Sequence, residues 1–62
     1  MDNQELRSRR EQLGLSDFKI NYKTGVHLGL IEDFFAGRSD ELPPKDRARI
    51  EALILSESKK HG

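Results

Sequence analysis

The sequence predicts an all-α fold, a compact bundle of four to five short helices. Three observations carry that expectation: apolar residues recur at helical spacing, no sustained period-two alternation occurs, and capping residues or proline bracket each periodic stretch. Sixty-two residues make one small domain. A chain this short buries only about 60% of the surface that its unfolded form exposes, so its stability is expected to be marginal. With no cysteine, neither a disulfide nor a thiolate metal site can reinforce a thin core, and the composition fits a reducing cytoplasm. The first residues lack the basic-then-apolar pattern of a secretory leader. The longest apolar run, Ala52-Leu53-Ile54-Leu55, falls far short of a membrane span. Eleven acids balance eleven bases, so overall charge gives no support to a nucleic-acid partner.

Asp2 with Glu5 three residues later is a capping-box-like pair that opens the first helix. Leu6 and Leu13 share one stripe of it, Arg7, Arg9, Arg10 and Glu11 fill the other faces, and Gly14 closes it. The three arginines read either as a solvated face or as phosphate contacts. Ser16 caps a second helix whose first turn holds Asp17, suited to the positive end of the dipole. That helix carries Phe18, Ile20 and Tyr22, with Tyr22 expected at the edge of the core and its hydroxyl in water, and stops at Gly25. A third helix is expected over 27–36. Leu30, Ile31 and Phe34 fall on one side of it and Leu28, Gly29, Glu32, Asp33 and Ala36 on the other. It ends at Gly37, and Phe35, adjacent to Phe34, is expected to pack toward the first or last helix.

Residues 38–44 form a loop, because Leu42 and Pro43 each precede a proline and are held out of helical geometry. Pro44 then suits the first position of a last helix, expected to reach about residue 57. Ile50, Leu53 and Ile54 form its core stripe, while Ala48, Ala52 and Leu55 form a second, weaker apolar stripe on nearly the opposite side. The domain is thus expected over 1–58 with a frayed tail at 59–62. Its core should include Leu6, Leu13, Ile20, Val26, Ile31, Phe34, Ile50 and Leu53.

Two short helices joined by a tight glycine turn define a helix-turn-helix unit. From Asp17 to Ala36 the chain sets Ile20, Gly25, Val26, Ile31 and Phe34 where such a unit needs them. The segment LRSRREQLGLSDFKINYKTGVHLGLIEDFFAG, residues 6–37, closely resembles the helix-turn-helix domains of lambdoid phage repressors and Cro proteins. The phrases Arg-x-x-Leu-Gly-Leu-Ser, Lys-Thr-Gly-Val and Ile-x-x-Phe-x-x-Gly-Arg carry the resemblance. It implies a sequence-specific regulator that binds double-stranded DNA with its third helix in the major groove. By position, His27, Leu28, Gly29 and Asp33 would then read bases, and Arg10, Ser16, Lys23 and Arg38 would contact phosphates. A two-fold homodimer is expected on the same basis, with the stripe of Ala48, Ala52 and Leu55 as its candidate interface.

Several positions depart from that family's pattern. Asp17 stands where glutamine is frequent and Asn21 where a small residue is favoured. Phe35 replaces the glutamate that commonly pairs with the arginine matching Arg10, so Arg10 lacks its usual partner. The third helix itself holds Glu32 and Asp33 and no base. Asp33 could accept from a cytosine amino group and Leu28 touch a thymine methyl. Alternatively, Leu28 flanked by Glu32 and Asp33 is an apolar anchor in an acidic rim, a surface for a protein partner.

No catalytic constellation is expected. Ser16, His27 and Asp33 serve as cap, helix start and helix face, and nothing supplies an oxyanion hole. His27 and His61 have no further ligand at a useful spacing, so no metal or other cofactor is expected.

Overall fold

Local capping chemistry sets the boundaries of the helices. In order they are α1 (Asn3–Leu13), α2 (Asp17–Thr24), α3 (Leu28–Phe35) and α4 (Pro44–His61). The computed structural model describes the backbone of residues 1–61 and the side chains of residues 1–60. Among the described residues there is no strand, in agreement with the all-helical bundle read from the sequence. Asp2 caps α1, its Oδ1 accepting from the Glu5 amide at 2.8 Å. Ser16 does the same for α2, its Oγ accepting from the Lys19 amide at 3.1 Å.

The chain reverses after α1 at Gly14, where φ is +66°. There the Gly14 amide donates to the Glu11 carbonyl and the Leu15 amide to the Arg10 carbonyl, the paired bonds of a helix end closed by a left-handed residue. That reversal drops Leu15 into the core. Gly37, φ +83°, ends α3 with the same pair of bonds, from Gly37 to the Phe34 carbonyl and from Arg38 to the Asp33 carbonyl.

The core gathers Leu6, Leu15, Ile20, Val26, Ile31, Phe34, Ile50 and Ile54. Two expected members, Leu13 and Leu53, are only partly buried and pack against its rim. Leu15 takes the place of Leu13 because the Gly14 reversal turns it inward. Ile54, one turn after Ile50, points more directly at the core than Leu53, which lies on the side of α4 facing α2. One aromatic position also needs correction. Tyr22, expected at the core edge, is 85% exposed, and Phe18 is 73% exposed. Both lie one turn apart on the side of α2 opposite Ile20, the residue that docks that helix. Leu30 is 37% exposed and stays outside the buried core, since Ile31 and Phe34 already define the inward face of α3.

Helix α3 begins one residue later than expected, with His27 as its cap rather than its first residue. Helix α4 begins at Pro44 as expected and runs on through Lys59 and Lys60 to His61, four residues beyond the expected end. Gly62 lies outside the described residues. Packing is serial: α1 lies on α4, α4 on α2, and α2 on α3.

Two arginines fasten this arrangement. Arg7 donates from Nε to the Phe34 carbonyl at 2.9 Å and from Nη2 to the Ser39 carbonyl and Asp40 Oδ1, both at 3.0 Å. Its guanidinium also lies 4.5 Å above the Phe34 ring. Arg47 joins α4 to the start of the chain, donating to Asn3 Oδ1 and to the Met1 carbonyl, each at 2.6 Å.

Candidate nucleic-acid interface

The turn between α2 and α3 is braced by side chains of α2. Gly25 takes φ +75°, a left-handed conformation that costs glycine no Cβ clash. Asn21 Nδ2 donates to the Val26 carbonyl at 2.7 Å. Thr24 Oγ1 donates to the Ile20 carbonyl at 2.6 Å and accepts from the Val26 amide at 3.2 Å. Asn21 thus clamps the turn from a position where a small residue is the more familiar choice. Val26, Ile31 and Phe34 anchor α3 from beneath.

Above them lies the outward face of α3. Gly29 is half-buried, and Glu32, Asp33 and Ala36 are exposed, with half-buried Leu28 at one edge. His27 stands at the start of the helix, where its Nδ1 accepts from the Gly29 amide at 3.0 Å. The imidazole is therefore first of all a helix cap, with its far edge left to face outward. A Cβ on Gly29 would come within 3.2 Å of that Nδ1, so glycine gives the ring its room. Of the four base-reading candidates, His27, Leu28 and Gly29 lie at the N-terminal end of α3, and Asp33 lies one turn further on, toward its C-terminal end.

Of the four phosphate candidates, Arg38 reaches that face through Asp33, and Arg10 and Ser16 are engaged in contacts of their own. Arg10 turns inward. Its Nε donates to the Leu15 carbonyl at 2.7 Å, its Nη2 pairs with Asp17 Oδ1 at 2.8 Å, and its guanidinium lies 5.1 Å from the centre of the Phe35 ring. The departures at Asp17 and Phe35 therefore belong to one cluster with Arg10, which exchanges a partner on α3 for one on α2. Arg38 is exposed but pairs with Asp33 at 2.9 Å, so one candidate phosphate contact and one candidate base contact engage each other. Ser16 is occupied as the α2 cap. Lys23 is exposed, on the side of α2 that faces α4. Of the arginines in α1, only Arg9 makes no ion pair or hydrogen bond among the described residues.

Ala48, Ala52 and Leu55 are all exposed on one stripe of α4. Lys45 and Lys59 stand at its two ends, also exposed. No group of three or more His, Cys, Asp or Glu side chains gathers at metal-binding distance among the described residues. No described helix is long and apolar enough to cross a membrane. No family model matches the chain, and neither does any curated protein or solved structure.

Proposed function

We propose that the protein is a small DNA-binding transcriptional regulator of the repressor and Cro kind, a binding protein rather than an enzyme, acting in the cytoplasm. The observation that carries this reading is the α2–Gly25–α3 unit. Its turn is braced by Asn21 and Thr24, and His27, Glu32 and Asp33 are exposed on and before α3. Gly29, which has no side chain, lets the start of the helix approach base edges closely. His27, Leu28 and Asp33 then supply a donor or acceptor, a methyl contact and an acceptor.

Electrostatics make the binding weak and specific in kind. Phosphate neutralisation drives affinity, yet Arg10 is engaged internally and Arg38 is held by Asp33. The logarithm of the binding constant is therefore expected to fall with log salt at a shallow slope, roughly −2 to −4 for two to four phosphates. Dimerisation through Ala48, Ala52 and Leu55 belongs to the same proposal and is expected on DNA only. In a two-fold antiparallel contact Lys45 of one copy approaches Lys59 of the other, and the duplex must supply the energy that holds them together.

The test is gel retardation of duplexes from the gene's own upstream region over a salt series, with Asp33→Asn alongside wild type. The substitution removes a repelling charge and frees Arg38 for phosphate. Non-specific affinity is expected to rise, and sequence preference to change. Failure of the wild type to retard any duplex at low salt would remove the reading. A second reading has one specific observation in its favour: α3 carries Glu32 and Asp33 with no base, beside Leu28 and Leu30. Such a surface suits a basic protein partner, and it becomes the better account if duplexes fail to bind.

A further inference from the structure

The chain is neutral overall, but its free charges are not evenly spread. Arg7, Arg10, Arg38 and Lys60 are each in an ion pair, and Arg47 is tied to Asn3 and the Met1 carbonyl. The cations left without such partners among the described residues are Arg9, Lys19, Lys23, Lys45, Arg49 and Lys59. All but Arg9 lie on α2 and α4.

On α2, Lys19 and Lys23 are exposed one turn apart, next to the exposed rings of Phe18 and Tyr22. On α4, Lys45, Arg49 and Lys59 share the outward side with Ala48, Ala52, Leu55 and Ser56. The acids of these two helices are turned elsewhere. Asp17 pairs with Arg10, Glu51 with the N-terminal ammonium and Glu57 with Lys60, and Asp46 is half-buried in the first turn of α4. Between the two helices runs a shallow groove of about 410 Å³, lined by Lys23, Thr24, Arg49, Ala52, Leu53 and Ser56. Its floor is apolar, its two rims are cationic, and no carboxylate lines it.

We propose that this groove, on a different side of α2 from the turn into α3, docks an acidic amphipathic helix of a protein partner. Three features select that occupant. The floor of Ala52 and Leu53 accepts an apolar side chain, which a sugar-phosphate backbone does not offer. Lys23 and Arg49 on opposite rims suit glutamates or aspartates flanking that apolar stripe. A second copy related by a two-fold axis would set these cations against their own counterparts, an unfavourable arrangement. The exposed Leu55 extends the apolar contact beyond the groove along α4. The inference leaves base reading by α3 untouched, because α3 contributes no residue to the groove, but it competes with the dimer contact proposed above, which shares Ala52 and Leu55.

The test is titration of the ¹⁵N-labelled full chain with a synthetic amphipathic helix whose leucine stripe is flanked by glutamates. A scrambled peptide of the same composition, oligothymidine and a mixed duplex serve as the other arms. The expected result is saturable shifts at Lys23, Thr24 and the Arg49–Ser56 stretch, with α3 amides unmoved. The combined substitution Lys23→Glu and Arg49→Glu should weaken the peptide at least tenfold. Should that variant lose helicity, Ala52→Gln, at an exposed position, covers the floor without reversing charge and should weaken the peptide similarly.

The proposal is overturned if the peptide produces no saturable shift or the scrambled peptide binds as well. Displacement of the peptide from these amides by oligothymidine or duplex at lower concentration assigns the surface to nucleic acid instead. Shifts of the same amides on concentrating the protein alone assign it to a second copy. Movement of α3 amides with duplex reports on the DNA reading separately, so the two can fail independently.

Discussion

His27 shows how one side chain can serve the fold and the candidate interface at once. Its Nδ1 accepts from the Gly29 amide and so satisfies one of the orphan donors at the start of α3. His27→Ala is expected to cost about 1 kcal/mol, the usual value of a lost cap, read from urea unfolding. Asp at the same position should restore most of it. Gly29→Ala gives a coupled prediction. Alanine gains up to about 1 kcal/mol of helix propensity over glycine, but its Cβ would press on the His27 ring. The substitution should therefore be more favourable in the His27→Ala background than in the wild type, and equal effects in both would show the contact to be inconsequential. Of these relations the sequence carried only part. His27 was legible as a residue at the start of a helix, but its role as the cap depends on a backbone turn that no spacing rule specifies.

At the scale of elements, the helix boundaries were legible because capping is local: Asp2, Ser16, Gly14, Gly25 and Pro44 all act within a few residues of themselves. The arginine contacts were not. Arg7 and Arg47 bond to groups more than 25 residues away, many of them main-chain carbonyls, which have no sequence signature. The outward aromatics of α2 were partly readable, since Ile20 and Thr24 share one side and Phe18 and Tyr22 another. Hydrophobicity alone points the wrong way there. Phe18→Ser and Tyr22→Ser are accordingly expected to change stability by less than about 0.5 kcal/mol, as surface substitutions do. Arg10 behaves otherwise. A double-mutant cycle with Asp17 should give a coupling of about 0.5–1 kcal/mol, the upper part of the range for surface pairs, because both side chains are partly buried. Arg10→Ala alone should cost more than that coupling, because it also deprives the Leu15 carbonyl of its donor. A single-mutant cost no larger than the coupling would show that the Leu15 bond adds nothing.

For the molecule as a whole, the core is small enough that one member matters greatly. Ile31 is fully buried, and Ile31→Ala should cost about 2–5 kcal/mol, much of the stability of so short a chain. Circular dichroism at 25 °C should show a largely unfolded variant, and a melting midpoint close to that of the wild type would mean that the site collapses around the cavity. The all-helical class and most of the core were legible because 3.6-residue periodicity records which side of each helix turns inward. The candidate site was less so. The positions of His27, Gly29 and Asp33 on one face follow from the resemblance, but the pairing of Arg38 with Asp33 and of Arg10 with Asp17 is decided by three-dimensional proximity that charge counting cannot see.

The serial packing of α1 on α4 and α4 on α2 also sets a timetable for synthesis. A chain emerges from the ribosome at about 5–20 residues per second, N-terminus first. Helix α1 therefore waits for the last helix of the described chain before the Leu6 face can meet Ile50 and Ile54. Until α4 clears the exit tunnel, α1 lacks its main partner and α2 and α3 have only each other, so the three can only flicker as nascent structure, because helices this short need extensive packing to persist in water. A fragment of residues 1–43 should accordingly show little helicity and no cooperative melting, and adding a peptide of residues 44–62 in trans should recover both. Native-like helicity in the shorter fragment alone would mean that folding begins vectorially, before the chain is finished.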